Sequence, residues 1–165
     1  MPTPEERLKQ IWSKVERAKS HIEELERTVR AFLDTKPYKV GTKRDQSGKL
    51  VYYVTMVEPV PDALALIAGD IIQNLVSALD HLAYQLVCAD TKDAPPSPDW
   101  IYFPIRDSFE EYETRKRGKM RGANDDTFAA LDALKPYKGG TDLLWVLYKL
   151  TSSTSTACCS RSAAK

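Results

Sequence analysis

The amino-terminal fifth of the chain carries an unbroken heptad series, and no other feature restricts the fold as strongly. Leu8, Ile11, Val15, Ala18, Ile22, Leu25, Val29 and Phe32 follow one another at alternating spacings of three and four. That pattern keeps an apolar seam on one side of a slightly supercoiled helix. Thr3-Pro4-Glu5-Glu6 supplies its start: Thr3 caps, Pro4 sacrifices no needed donor at the first helical position, and Glu6 reaches back as the capping-box partner. Trp12 and Leu33 widen the seam, and Pro37 limits the helix to Pro4 through about Asp34. Glu5–Lys9, Glu23–Arg27 and Glu26–Arg30 are i,i+4 pairs in the favoured order, each contributing about 0.2–0.5 kcal/mol. The seam has two candidate partners, a helix of the same chain or a second copy in a coiled coil. No lone Asn in the seam specifies an oligomer.

Tyr38 to Lys43 and Leu50 to Val57 read as strands, with Asp45-Gln46-Ser47-Gly48 as the turn between them. An isolated hairpin is marginal in water, so this one is expected against the helices or paired with a third strand. Trp100 to Ile105 is the expected third strand, confined to an edge by Pro104. Pro59-Val60-Pro61-Asp62 opens a second long helix, about Asp62 to Ala89, with an apolar stripe of Leu64, Ile67, Ile71, Leu75, Ala78, Leu82 and Leu86.

Beside that stripe runs a polar one. At about 100° per residue, Asp70, Asn74, Ser77, His81 and Gln85 fall within an arc of about 80°, with Asp80 expected on the opposite side. One reading is a polar boundary between core and solvent. The other makes His81 an acid/base group, because imidazole titrates near neutrality, with Asp70 or Asn74 orienting it or binding substrate. No metal site is expected: His21 lies on a different helix, with no ligand spacing linking it to His81. No cofactor motif appears either, since nothing after Gly139-Gly140 continues as a phosphate loop.

Asp90 to Pro98 reads as a loop, and Ser108 with Glu111 starts a short helix over about Phe109 to Arg117. Arg115, Lys116, Arg117, Lys119 and Arg121 follow, five cations in seven residues. They suit either phosphate binding or a solvated helix end whose negative dipole favours cations. Asn124 caps a helix from Asp125 to Leu134, and Thr141 or Asp142 opens an apolar run through Leu150. After Leu150 the composition changes to Thr, Ser, Cys and Ala, which supplies nothing to bury, so residues 151–165 read as a disordered tail. Its residues can be written in codons that, from the third base of the Thr151 codon, encode Leu-Ile-Asp-Lys-His-Arg-Leu-Leu-Leu-Ala-Val. The tail is accordingly expected to be a frameshift product.

Charge excludes some classes: a net charge of +1 gives no global attraction to nucleic acid or membrane. The absence of about 18 consecutive apolar residues argues against a bilayer span. Cys88, Cys158 and Cys159 make no disulfide framework, and with no signal-peptide pattern at the start the expected location is cytoplasmic.

The run Ile71-Ile72-Gln73-Asn74-Leu75-Val76-Ser77-Ala78-Leu79-Asp80-His81-Leu82-Ala83-Tyr84-Gln85-Leu86 resembles a large uncharacterised bacterial family. So do Tyr102-Phe103-Pro104-Ile105, Pro136-Tyr137 and the Asp-Lys-His-Arg of the alternative register. The chain is more loosely similar to HEPN domains, helical bundles that include ribonucleases and toxins. That resemblance implies Arg, then four residues, then His81, but Val76 stands where the Arg would be. The expectation is a mainly α chain: a helical bundle with two long antiparallel helices and a small β-hairpin at about 38–57, forming one domain over 3–150. Its expected role is helix-mediated interaction, as a homodimer or with a partner protein, through exposed apolar helix faces. The alternative is an impaired HEPN-like ribonuclease with RNA held by the basic run.

Overall fold

The computed structural model describes residues 3–160. The chain runs α1 (Pro4–Asp34), β1 (Tyr38–Arg44), β2 (Leu50–Val57), α2 (Asp62–Asp90), a 3-10 turn (Pro98–Trp100), α3 (Phe109–Lys119), α4 (Asp125–Leu134) and α5 (Asp142–Ser160). It is mainly helical with one small hairpin, as the periodicities predict. The capping box forms: the Glu6 amide donates to Thr3 Oγ1 at 3.2 Å, and the Thr3 amide donates to Glu6 Oε2 at 2.8 Å. Of the three expected i,i+4 pairs, Glu26–Arg30 closes to 3.7 Å.

The long helices α1 and α2 pack along each other and are antiparallel. Arg7, in the first turns of α1, reaches the far end of α2: it donates to Gln85 Oε1 at 3.1 Å and to both carboxylate oxygens of Asp93 at 2.7 and 2.8 Å. The heptad seam is buried only in part. Ile11 and Ala18 are fully enclosed, whereas Leu8 and Ile22 remain 38 % and 41 % exposed. Two helices alone cannot surround a seam, and the third layer covers only one end of the pair.

That third layer is the segment from Ile101 to α5. Ile101, Phe103 and Ile105 insert beside Ala83 and Val87 of α2, with Met120, Phe128 and Leu131 completing the core. Polar contacts fix the arrangement. Asp90 accepts from the Asn124 amide, Asn124 Nδ2 and Thr127 Oγ1 at 2.8–2.9 Å, pinning the start of α4 to the end of α2. Asp107 accepts from Trp145 Nε1 and Lys149 Nζ, both at 2.8 Å, and so holds α5. The Arg106 amide donates to Pro136 O at 3.1 Å, so the Tyr102–Ile105 segment and the Pro136-Tyr137 turn meet. Gly122 has φ +98°, and a Cβ there would stand 2.7 Å from Thr91 Cγ2. Only glycine allows the α3–α4 turn to close on the loop after α2.

Two expectations fail at the hairpin. Among the described residues the sheet has two strands, and Trp100 to Ile105 is not a third. The reason is distance: Phe103 is bound to Asp80, about 27 Å along α2 from the helix start at 1.5 Å per residue, while the hairpin joins α1 and α2 at that start. Nor does the hairpin lie on the helices. Every described side chain of β1 is exposed apart from the half-buried Gly41, and Tyr52, Tyr53, Val54 and Val57 of β2 are exposed as well.

The final helix also runs further than expected, to Ser160 rather than Leu150. Extending an existing helix costs little compared with nucleating one, and Thr151 Oγ1 donates back to Tyr148 O at 2.6 Å. Residues 161–165 of the expected tail lie outside the described residues.

Candidate functional site

The polar ridge of α2 does not converge on one reaction centre. Asp70 is exposed, and the Asn74 Nδ2 donates to the Asp70 carbonyl at 2.8 Å, a contact within the helix. Gln85 is engaged by Arg7. His81, half-buried, has no hydrogen-bond partner among the described residues and lines an open pocket of about 350 Å3 with Gln10, Asp80, Tyr84 and Gln85.

Asp80, expected on the far side, shares that pocket. One step along a helix turns about 100°, which makes successive side chains flank one another rather than oppose. The Asp80 Oδ1 accepts from the Phe103 amide at 2.9 Å. Burial pushes its carboxyl above the usual carboxylate range, against the opposing pull of that amide, His81 and Lys119. Asp80 also lines a second concavity of about 260 Å3 with Arg106, Lys119 and Val76.

The basic run divides into two sets. Lys116 is buried, donating to Glu113 at 2.6 Å and to both Asp132 oxygens at 2.8 and 3.0 Å. Burial opposes its charge, but the two carboxylates outweigh that and hold its pKa above the ordinary lysine value. The same contacts, with the Tyr112 hydroxyl at 2.7 Å, overcome burial to hold Asp132 below its ordinary value. Arg117 pairs with Asp125 at 2.8 Å and lies over the Phe128 ring. Lys116 is buried and so not available to a nucleic acid, which corrects its reading as a ligand, whereas Arg117 stands in a surface ion pair with its side chain 65 % exposed.

Arg115, Lys119 and Arg121 instead line an open pocket of about 480 Å3 together with Arg106 and Trp100. Ser97 and Thr114 add hydroxyls to its wall, and among the described residues no acid lines it. Trp100 is 71 % exposed, and the buried Arg106 Nε has no hydrogen-bond partner among the described residues. Sequence reasoning missed both residues. The signal was present in part in the alternation of 100–106, which turns Ile101, Phe103 and Ile105 inward and leaves Trp100, Tyr102 and Arg106 for the other side, with the buried Pro104 as the exception.

A third surface is apolar. Leu33, Val40, Tyr52, Val54, Val57 and Leu66 are all exposed around the hairpin and the adjoining ends of α1 and α2. Among the described residues one helix, α2, has the length and apolar content of a membrane span, against the expectation that none would. Its Asp80 and Asp90 carboxylates bind protein amides, as in a helix built into a protein core. No group of described side chains could hold a metal ion. Comparison with protein-family models, curated proteins and solved structures finds no match to this chain.

Proposed function

We propose that the chain is a helical interaction module that acts by pairing with a second copy of itself through the hairpin end. The observation that carries this is the unprotected edge of β2. Leu50–Val57 contains no charge and no proline, whereas β1 carries Lys39, Lys43 and Arg44. Natural edge strands are blunted by charge, especially lysine, and by proline. β1 has that protection and β2 has none.

Antiparallel pairing of β2 with its own copy satisfies a two-fold axis and would turn two marginal hairpins into one four-stranded sheet. The exposed Leu33 and Leu66 beside it extend the contact onto the helix faces. Light scattering tests the reading: a dimer is expected, and Tyr52→Lys with Val54→Lys should return it to monomer by setting like charges against each other. A wild-type chain that stays monomeric at high micromolar concentration overturns it. The free buried thiol of Cys88 fits a reducing, cytoplasmic setting.

A ribonuclease of HEPN type is the second reading, favoured by His81 lying unbonded in an open pocket beside Asp80. It lacks a cation next to His81, because Val76 occupies the position where the resemblance implies Arg. RNA cleavage that vanishes in His81→Ala would establish it, and no cleavage by either protein would remove it. The frameshift reading of the carboxy-terminal segment likewise stands as a proposal. The restored register adds five leucine or isoleucine side chains and should raise the melting temperature of the chain.

A further inference from the structure

We propose that the pocket rimmed by Trp100 binds a nucleoside phosphate, with the phosphates held by Arg106, Arg115, Lys119 and Arg121 and the planar base laid against the indole.

The pairing pattern on α3 is the first argument. Two cations on this helix have carboxylate partners: Glu113 and Asp132 for the buried Lys116, and Asp125 for the exposed Arg117. One turn away the fold gathers four cations, Arg106 from one segment and Arg115, Lys119 and Arg121 from another, and among the described residues no acid lines the cavity. Four like charges around one cavity draw an anion to it, and Asp80, beside Arg106 and Lys119 in the adjoining concavity, offsets only part of that charge. The second argument is Arg106. Its Nη1 donates to Ile105 O at 2.7 Å, yet its Nε is buried without an acceptor. Buried donors in native structures are almost always satisfied, so the unmatched Nε leaves the Arg106 guanidinium able to re-orient toward a ligand oxygen in the cavity that the residue lines. Arginine suits this task because its planar fork presents donors in the geometry of phosphate oxygens.

Trp100 sets the ligand's other half. An indole left 71 % exposed at the rim of a cationic cavity offers a flat apolar face to a base whose phosphates lie deeper. The cavity of about 480 Å3 falls within the range of about 300–1,000 Å3 typical of small-ligand sites. A single-stranded nucleic acid would need successive stacking platforms along a groove. Here one aromatic face is free, because Tyr102 already lies under Lys119 at 5.0 Å.

Titration of the full-length chain with ADP tests the proposal, with inorganic pyrophosphate, adenosine and an oligouridylate as separate arms. ADP is expected to bind at least about tenfold more tightly than pyrophosphate or adenosine. Trp100→Leu should weaken ADP while leaving pyrophosphate unchanged. Arg115→Glu with Arg121→Glu should weaken both phosphate ligands by about tenfold or more. Gly118→Glu should do the same with the fold intact, since Gly118 is a pocket-lining residue where an added Cβ meets nothing within 4 Å. An unchanged melting temperature of that variant checks its fold. No ADP binding at millimolar concentration, or ADP binding that survives Gly118→Glu, overturns the proposal. Oligouridylate bound about tenfold more tightly than ADP would replace it with an RNA site.

Discussion

Along its last ten residues α2 contributes to the core on one face. Ala83, Val87 and Cys88 are buried against Ile101, Phe103 and the α3–α4 pair. Along its first ten, from Asp62 to Ile71, no residue is buried, and Leu66 is 71 % exposed. Both ends carry the same apolar periodicity, and both face α1. The difference is the third layer, which the chain supplies at one end only. An apolar stripe therefore records a demand for cover without recording who meets it. At the hairpin end that demand is unmet within the chain, which is why the self-pairing proposal is placed there.

The comparison breaks most sharply through the core. Phe103→Ala should cost about 3–5 kcal/mol, since Phe103 is 7 % exposed and sits among Ala83, Met120 and Phe128. Chemical denaturation measures it, and a cost below about 1 kcal/mol would mean that the third layer does not anchor α2.

Next in size are the contacts that seat this layer. Gly122→Ala should cost roughly 1–3 kcal/mol through positive φ and overlap with Thr91. Asp80→Ala should cost roughly 1–3 kcal/mol by leaving the Phe103 amide without its acceptor, while Asp80→Asn keeps an acceptor and should cost less. Equal losses in the two Asp80 variants would show that the amide contact is not what matters.

A pH series sharpens the same contrast. Asp132 is held below its ordinary value. Its contribution is therefore present above the unfolded carboxyl pKa, about 3.9, and is lost as pH falls through the lower folded value. Lys116 is held above its ordinary value. Its contribution is present below about pH 10.4 and is lost as pH rises through the higher folded value. Asp80 runs the other way from Asp132: raised by burial, it favours the folded state at low pH and loses that as pH rises through its folded pKa. Asp132→Asn should therefore flatten the loss of stability below about pH 4, and an unchanged acid limb would count against the Lys116–Asp132 contact.

The smallest expected effect is the most diagnostic for the other end. Tyr52→Ala in a dilute monomer should change stability by no more than about 0.5 kcal/mol, because the side chain is 68 % exposed. Hairpin amides should exchange with solvent faster than those of Ala83 to Val87. At dimer-forming concentration the same amides should slow. Protection that is independent of concentration would mean that the hairpin is covered within one chain.

Much of the architecture was legible because it depends on neighbours in sequence. The capping box at Thr3 and Glu6, the cap of α4 at Asn124 and the stop at Pro37 are short-range chemistry, and each element they bound appears where the residues place it. The hairpin strands were legible for the same reason, but their surroundings were not. That Trp100 to Ile105 joins α2 instead of the hairpin turns on Asp80 reaching the Phe103 amide, a contact between residues 23 apart. The basic run shows the same limit. Five cations in a row looked alike until Asp132 and Asp125, which follow later in the chain, claimed Lys116 and Arg117.

By itself the sequence determined where the helices start, their caps, the hairpin and the faces that seek burial, because helix and strand periodicity and capping act over a few residues. Tertiary structure alone decided which end of α2 is enclosed, which cations are neutralised and that Trp100 and Arg106 share a cavity with Arg115, Lys119 and Arg121. Those outcomes depend on where distant carboxylates and apolar side chains arrive in space, and local periodicity carries no information about that.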